Sequence, residues 1–506
     1  MINFPDLGTA KSVFDFFVEF SKVPRGSTHT SAIADYLVDF AKARGLAHRR
    51  DEHDNVIIKK PATAGYEDRP TVVLQGHTDM VLAENEECRI NLLTDGLELY
   101  VDGDFLRARG TTLGGDDGVA MAYALALLDS KDIPHPAIEA VFTSDEEIGL
   151  LGAVGLDTSD LQGRLMLNID SDAEGIFTVG CAGGMRVDIK LPVNRSVKAG
   201  EAYKLTVSGF KGGHSGVEID RGRRNAIKAL ASGLSMVDGI SIVKMGGGNA
   251  DNAIPRSAEC VFIADDISGI DFEGALKNEF GEIEGDMVVT LTKVQGDFLG
   301  CDKESSKTAL SLINECPSGV IRMMEDIEGL VETSLNLGIL AMGDDEMEIS
   351  FSVRSAVGAE KKKLTERLFE IAKAHGASYG MHGDYPAWEY RKESHLRDVM
   401  CKTYTDMYGK EPVVMTIHAG LECGIFSDKM EGLDCVSIGP DNFDIHTTEE
   451  RLSISSTVRV WEYLLEVLRC GGYLVLIDKS TNGNVLSHTV RDCNTYEDYK
   501  AYCKEE

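Results

Sequence analysis

At 506 residues the chain exceeds what one compact core organises, so two or more domains are expected. Hydrophobic residues make up 43% and charged residues 26%, an ordinary globular composition for which disorder is not the default. With 51 basic and 83 acidic side chains the net charge is −32, which repels nucleic acid and anionic membranes and attracts cations.

The amino-terminal segment lacks a basic leader, and acids interrupt its apolar residues, so it does not read as a secretory signal. Val13, Phe16, Phe17 and Phe20 recur at helical spacing and predict an amphipathic helix. A helix over residues 31–45 and a strand over 55–60 follow. Residues 70–76 form a short β-rich run consistent with a buried strand. Residues 117–128 are an alanine- and leucine-rich helix, and 138–143 and 164–169 are again apolar strands. This strand–helix–strand repetition predicts an α/β layer with a largely parallel sheet.

The middle of the chain changes character. Residues 185–191, 203–209, 258–264, 286–293 and 347–355 alternate as strands, with helical stretches at 225–236 and 361–375 between them. That is the pattern of an α+β unit with one face of an antiparallel sheet covered by helices. Helix, strand and helix at 394–408, 435–438 and 455–469 restore α/β character. The expected organisation is a discontinuous first domain, residues 1–184 and 395–506, with a second domain inserted over 185–394. From about Ser480 the chain turns polar, as a carboxyl-terminal arm would. No apolar run approaches the roughly 18 residues a membrane span needs. The 11 cysteines, an odd number without CxxC pairs, suit reduced thiols better than a disulfide framework. Together these features predict a cytoplasmic protein with no membrane or nucleic-acid partner.

The acids and histidines fall at particular places in this pattern. His77 and Asp79 follow the strand ending at Gly76. Asp116 opens a helix after a glycine turn, Glu146 and Glu147 follow the strand ending near Thr143, and Asp170 follows Ile169. His446 lies in the loop after residues 435–438. In an open α/β sheet, ligands bind at the carboxyl ends of the strands. Five loops would therefore crowd acids and imidazoles at one edge, where they repel unless divalent cations sit among them. A His and carboxylate set without thiolate suits zinc, with manganese or cobalt as alternatives, and an aspartate can bridge two ions.

At these residues the sequence resembles the aminoacyl-histidine (Xaa-His, β-alanyl-histidine) dipeptidase family, part of the di-zinc peptidases that include carboxypeptidase G and acylase-like enzymes. The matching segments are Leu74-Gln-Gly-His-Thr-Asp-Met80, Thr112-Leu-Gly-Gly-Asp-Asp-Gly118, Thr143-Ser-Asp-Glu-Glu-Ile-Gly149, Leu167-Asn-Ile-Asp-Ser171 and Gly439-Pro-Asp-Asn-Phe-Asp-Ile-His446. The resemblance implies a discontinuous catalytic domain with an inserted α+β lid and dimerisation domain. It makes Asp116 the bridge between two divalent metal ions, with His77 and Asp170 completing one site and Glu147 and His446 the other. Glu146 becomes the general base for the metal-bridging water, and Asp79 orients His77. His214, in Lys211-Gly-Gly-His-Ser-Gly216, becomes the oxyanion stabiliser, reaching across a dimer interface in relatives completed that way. Asn252, Arg354 and Gly420 become substrate contacts, with Arg354 for a substrate carboxylate.

The implied activity is hydrolysis of short peptides, carnosine-like Xaa-His dipeptides above all, by a homodimer. The alternatives are a deacylase or tripeptidase on the same scaffold, or a silent metal- or peptide-binding relative. Two departures from the family pattern stand out. Gly114-Gly-Asp-Asp-Gly118 replaces the common Gly-Ala-Asp-Asn-Gly, so Asp117 adds an acid beside the bridge. Thr447-Thr-Glu449 stands where Ser-Pro-x-Glu is common.

Overall fold

A computed structural model describes residues 2–198, 201–325 and 329–470; the expected polar arm after Ser480 lies outside them. The described residues form two compact units, one of residues 2–180, 390–416 and 421–470, the other of 181–389 and 417–420.

The first unit is built on an eight-stranded sheet. Its order is Ala47–Arg50, Val56–Lys60, Ile138–Thr143, Val72–His77, Leu165–Asn168, Asp434–Ser437, Ile176–Cys181 and Val413–Ile417. The central strands Ile138–Thr143, Val72–His77, Leu165–Asn168 and Asp434–Ser437 run parallel to one another. The pairings of Ala47–Arg50 and Val56–Lys60, and that of Ile176–Cys181 with Asp434–Ser437, are antiparallel. The sheet is therefore mixed rather than largely parallel. The hairpin from Ala47 to Lys60 needs no helical crossover, and that is what allows antiparallel pairing there.

Central strands buried on both faces carry continuous apolar runs, as Val72-Val-Leu does. The helix Gly115–Asp129 shows why its face pattern is weak. From Gly118 to Leu128 every residue is buried, because the strand Val72–His77 and the helix Lys11–Phe20 both pack on it. Lys11–Phe20 is amphipathic and buries Val13, Phe14, Phe16, Phe17 and Phe20. Each such phenylalanine contributes roughly 1.5–3 kcal/mol by leaving water. Tyr123 stacks on the buried Trp461 of the helix Ile454–Cys470, ring centroids 5.7 Å apart.

The second unit is an antiparallel nine-stranded sheet. Its order is Val288–Val294, Glu201–Ser208, Ala258–Ala264, Ser241–Gly247, Val331–Met342, Glu346–Ser355, Gly183–Pro192 and Ser378–Tyr385, and Gly319–Met323 also pairs with Val331–Met342. Helices Ala226–Leu234, Lys303–Glu315 and Gly358–Ala374 bury their apolar faces in its core. Among the described residues no helix is long and apolar enough to cross a membrane.

Candidate metal centre

Because the four central strands are parallel, their carboxyl ends lie at one edge of the sheet, and each delivers chemistry there. Val72–His77 ends on His77. Ile138–Thr143 leads to Glu146 and Glu147, Leu165–Asn168 to Asp170, and Asp434–Ser437 to the loop of His446. Asp116 comes from the mouth of the helix Gly115–Asp129. It does not open a regular helix: Asp116 and Asp117 have non-helical backbone angles, and Gly114 before them is left-handed, with φ +67°. A glycine suits that conformation, and an added Cβ would meet Arg25 Nη2.

The side chains converge on Asp116. Its Oδ1 lies 3.0 Å from His77 Nε2 and its Oδ2 3.1 Å from His446 Nε2. His77 Nε2 is 3.8 Å from Asp170 Oδ1, and His446 Nε2 is 3.0 Å from Glu147 Oε2. Two triads result, His77–Asp116–Asp170 and Asp116–Glu147–His446, each with its ligand atoms within 4.8 Å of one another. They share Asp116, one oxygen toward each histidine. A third group, His77, Glu146 and Glu147, overlaps them, and no group contains a cysteine.

Asp79 supports this cluster from beneath. Its Oδ1 is 3.4 Å from His77 Nδ1 and accepts the Glu146 N–H at 3.0 Å. Its Oδ2 accepts from the Ser27 hydroxyl at 2.7 Å and the Glu147 N–H at 3.3 Å. The Asp79 backbone carbonyl lies closer still to His77 Nδ1, at 3.1 Å, so one residue orients the histidine through two oxygens and its carboxylate fixes the turn carrying two glutamates.

The electrostatics call for added positive charge. Burial works to lower the pKa of His77, but hydrogen bonds to Asp116 and Asp79 overturn it and hold the imidazole well above its usual value. Hydrogen bonds to Asp116 and Glu147 push His446 up to about 10. Burial raises the Asp170 carboxyl, with Asp117 and Asp116 adding to the effect. It pushes Glu146 up to about 8, with Glu422, Asp116 and Glu147 adding to the rise. Asp116 goes the other way: against burial, hydrogen bonds from His446 and His77 hold its carboxyl below the usual range. Glu147 Oε1 and Asp170 Oδ2 are buried with no hydrogen-bond partner. Unsatisfied carboxylate oxygens beside imidazole nitrogens form a donor set that fits divalent cations.

The sequence signature of peptidase family M20/M25/M40 matches residues 73–469, which contain the whole cluster. The chain belongs to this family. It is 38% identical over 470 residues to the cytosol non-specific dipeptidase of Escherichia coli K12, covering 90% of this chain and 97% of that protein. The crystal structure of an aminoacylhistidine dipeptidase from Vibrio alginolyticus superposes with a TM-score of 0.85 at 35% identity, over 92% of this chain and 98% of that one. A tripeptidase from Staphylococcus aureus shares the fold at a TM-score of 0.55 and 18% identity, over 94% of this chain and 100% of that one.

The remaining predicted residues, His214, Asn252, Arg354 and Gly420, all fall in the second unit. Arg354 is buried, donates to the Tyr385 hydroxyl at 3.1 Å and leaves its Nε unpartnered. Tyr385 also lies against Gly420, where an added Cβ would come within 2.7 Å of the ring. His214 Nδ1 accepts the N–H groups of Gly216 and Val217, both at 3.2 Å. Burial lowers its pKa, and Arg354 adds to the effect. The backbone carbonyl of Asn252 accepts from Ser215 N–H at 2.8 Å.

Several residues around the centre escaped the sequence reading. The glutamate of the histidine loop that reaches the backbone of the Asp116 loop is Glu450. Glu449 is exposed and pairs with Arg107 at 2.7 Å. Arg25 is buried behind the Asp116 loop. The buried Glu422 accepts from Gln75 at 2.6 Å and Thr143 at 2.7 Å, beneath the strand ends. Its place in the segment after His418-Ala-Gly420 was the one available signal.

Proposed function

We propose that the chain is a metal-dependent dipeptidase of the cytoplasm that cleaves Xaa-His, carnosine-like dipeptides. His77, Asp116 and Asp170 would hold one divalent cation and Asp116, Glu147 and His446 a second, zinc first and manganese or cobalt as alternatives. When bound there, such cations supply Lewis acidity toward water and toward a scissile carbonyl.

The protein groups do the rest. Glu146, next to the ligand Glu147 and anchored through its N–H to Asp79, takes the proton of the attacking water and returns it to the leaving amine. Asp79 keeps His77 in one orientation. His214 uses Nδ1 to accept two backbone N–H groups, so its proton sits on Nε2 and is free to stabilise a developing oxyanion. Arg354, with its fork held at one end by Tyr385, is assigned to the substrate carboxylate, and Asn252 and Gly420 to polar contacts with the peptide. Assembly as a homodimer through the inserted unit belongs to the same reading, and analytical ultracentrifugation tests it.

The observation that carries this function is the sharing of Asp116 by two His–carboxylate triads. The relatives named dipeptidase support the substrate class, and the Vibrio protein the histidine preference. The test is a turnover panel of Xaa-His dipeptides, other dipeptides, tripeptides and N-acyl amino acids, run on wild type and Glu146→Gln. The variant should bind cations as wild type does and lose roughly 10²–10⁴-fold in kcat. Equal turnover of dipeptides lacking histidine would leave a broader dipeptidase. Preference for tripeptides or N-acyl amino acids would move the assignment to another amide hydrolase. A cation-loaded wild type inactive on the whole panel would refute it.

A further inference from the structure

The loop that presents Asp116 is held from both sides by buried charges that are not in the ligand set. On one side stands Glu450, 2% exposed. Its Oε2 accepts the N–H groups of Leu113 at 2.7 Å and Gly114 at 2.9 Å, and its Oε1 that of Gly115 at 2.8 Å. Three consecutive backbone donors ahead of Asp116 thus close on one carboxylate. On the other side stands Arg25, also 2% exposed. Its Nη1 donates to the carbonyls of Thr78 at 2.9 Å and Asp79 at 3.2 Å, and its Nη2 to the carbonyl of Gly114. The guanidinium therefore ties the turn after His77 to the loop before Asp116. The carboxylate fixes that same loop from the chain segment four residues beyond His446.

We propose that Glu450 and Arg25 are positioning residues that hold the His77–Asp79 turn and the Leu113–Asp116 loop in the register at which Asp116 reaches both histidines. The inference rests on the metal-centre reading above. The geometry explains two glycines as well. A Cβ on Gly114 would meet Arg25 Nη2 and the Met80 sulfur, and one on Gly115 would come within 3.2 Å of Glu450 Oε1 and 3.0 Å of the Asn442 side-chain amide. The loop is thin because charged side chains lie tightly against it on both sides. The pair acts through backbone groups and touches neither substrate nor cation, so its effect should appear in how well the centre is preformed.

A capping role alone would have a different signature. Carboxylates that collect loop N–H groups commonly stabilise a fold without serving a site, and this protein contains a matched case. The buried Glu139 accepts the N–H groups of Gln162 and Gly163, each at 2.9 Å, and pairs with Lys59. Glu450→Gln, Arg25→Lys and the control Glu139→Gln should be compared with wild type as full-length apoproteins. The readouts are equilibrium Mn²⁺ binding by calorimetry, far-ultraviolet circular dichroism and thermal midpoint, with activity recorded separately.

Glu450→Gln keeps one acceptor oxygen and the side-chain shape but presents an amide donor to backbone donors. Arg25→Lys keeps the charge but cannot fork to three carbonyls. Both should stay folded and bind Mn²⁺ roughly 10–100-fold more weakly, the usual cost of losing support behind a ligand. Glu139→Gln should lower the thermal midpoint and leave Mn²⁺ affinity unchanged. If the Glu450 and Arg25 variants lower the midpoint with wild-type Mn²⁺ affinity, they are structural caps and the proposal is overturned. Should Glu450→Gln fail to fold, Arg25→Lys decides by the same criterion. A wild type that binds no Mn²⁺, Zn²⁺ or Co²⁺ would instead sink the metal-centre reading and the positioning role together.

Discussion

Replacing Asp79 by asparagine separates the two tasks of that side chain with almost no change of shape. The carboxylate is fully buried and serves four groups: His77 Nδ1 and the Glu146 N–H on one oxygen, the Ser27 hydroxyl and the Glu147 N–H on the other. An amide can present an oxygen to only one of these pairs. If it faces Glu146, its NH₂ meets the Glu147 N–H, where only the serine hydroxyl can turn to compensate. If it faces Glu147, the NH₂ opposes both His77 Nδ1 and the Glu146 N–H. Either orientation costs at least one hydrogen bond to a charged acceptor, about 1.5–3 kcal/mol. At about 1.4 kcal/mol per decade, this corresponds to roughly ten- to hundredfold in the equilibrium that depends on the geometry. Both orientations disturb the His77 and Glu146–Glu147 arrangement, so cation binding should show the loss. The assay is a Mn²⁺ titration of apoprotein alongside urea unfolding. The expected result is a roughly ten- to hundredfold weaker Kd with apo stability reduced by no more than the same few kcal/mol. An unchanged Kd, with the whole effect in unfolding, would show that Asp79 supports the fold and not the centre.

Asp117→Asn should change kcat/KM by less than about threefold, an effect of under 1 kcal/mol. The Asp117 Oδ2 accepts the His77 N–H at 3.2 Å, and an asparagine oxygen does the same, while leucine there would orphan that donor. Steady-state kinetics on the two variants check it. Chelation should lower the thermal midpoint reversibly. Each cation at a hundredfold over its Kd adds about 2.7 kcal/mol, and this predicts a loss of roughly 5–10 °C per site that Zn²⁺ or Mn²⁺ restores. His418 is kept neutral by burial, with Arg354 adding to the effect, and its pKa falls from 6.5 to about 3. The unfolded chain therefore takes up that proton first, so the residue's contribution is complete above pH 6.5 and is lost as pH falls toward 3. Urea unfolding across that window should be less steep in pH for His418→Asn, by up to about 1.4 kcal/mol per unit.

The ligand-bearing strands could be read in sequence because burial on both faces leaves short apolar runs with an acid or histidine just past each end. The segment Val72–His77 shows this plainly: six buried residues, then Asp79. The helix Gly115–Asp129 was visible from its composition, yet its irregular first residues were not. They depend on Arg25 and Glu450, which lie 89 and 336 residues from Gly114 in the chain. No periodicity links such partners. The antiparallel flanks of the first sheet were hidden for a related reason, since pairing direction is set by connections and not by the apolar pattern within a strand. Four strands of the second unit's nine-stranded sheet went unread, Ser241–Gly247, Gly319–Met323, Val331–Met342 and Ser378–Tyr385, and composition accounts for the last two. Val331–Met342 is buried almost throughout and lacks clean alternation. Ser378–Tyr385 is exposed along nearly its whole length and carries two glycines, so it resembles a loop.

The surroundings of Asp116 also explain why so acidic a cluster is compatible with folding. Asp79, Asp117, Glu146, Glu147, Asp170, Asp172 and Glu450 all crowd about this bridge, and burial raises Asp117, Glu146, Asp170, Asp172 and Glu450 above their ordinary values. Against them stand His77, His446 and the buried Arg25. Carboxylates left ionised there would repel one another in a medium that screens poorly, so without cations several must hold protons. Asp79 and Glu450 avoid much of that penalty by spending their oxygens on backbone N–H groups and a hydroxyl. Glu147 and Asp170 do not; each keeps a buried oxygen without a partner. The acids thus divide by what satisfies them, some by backbone donors and a hydroxyl, others on one oxygen alone by an imidazole. The second group, with Asp116 and the two histidines, is the set that the two triads assign to cations.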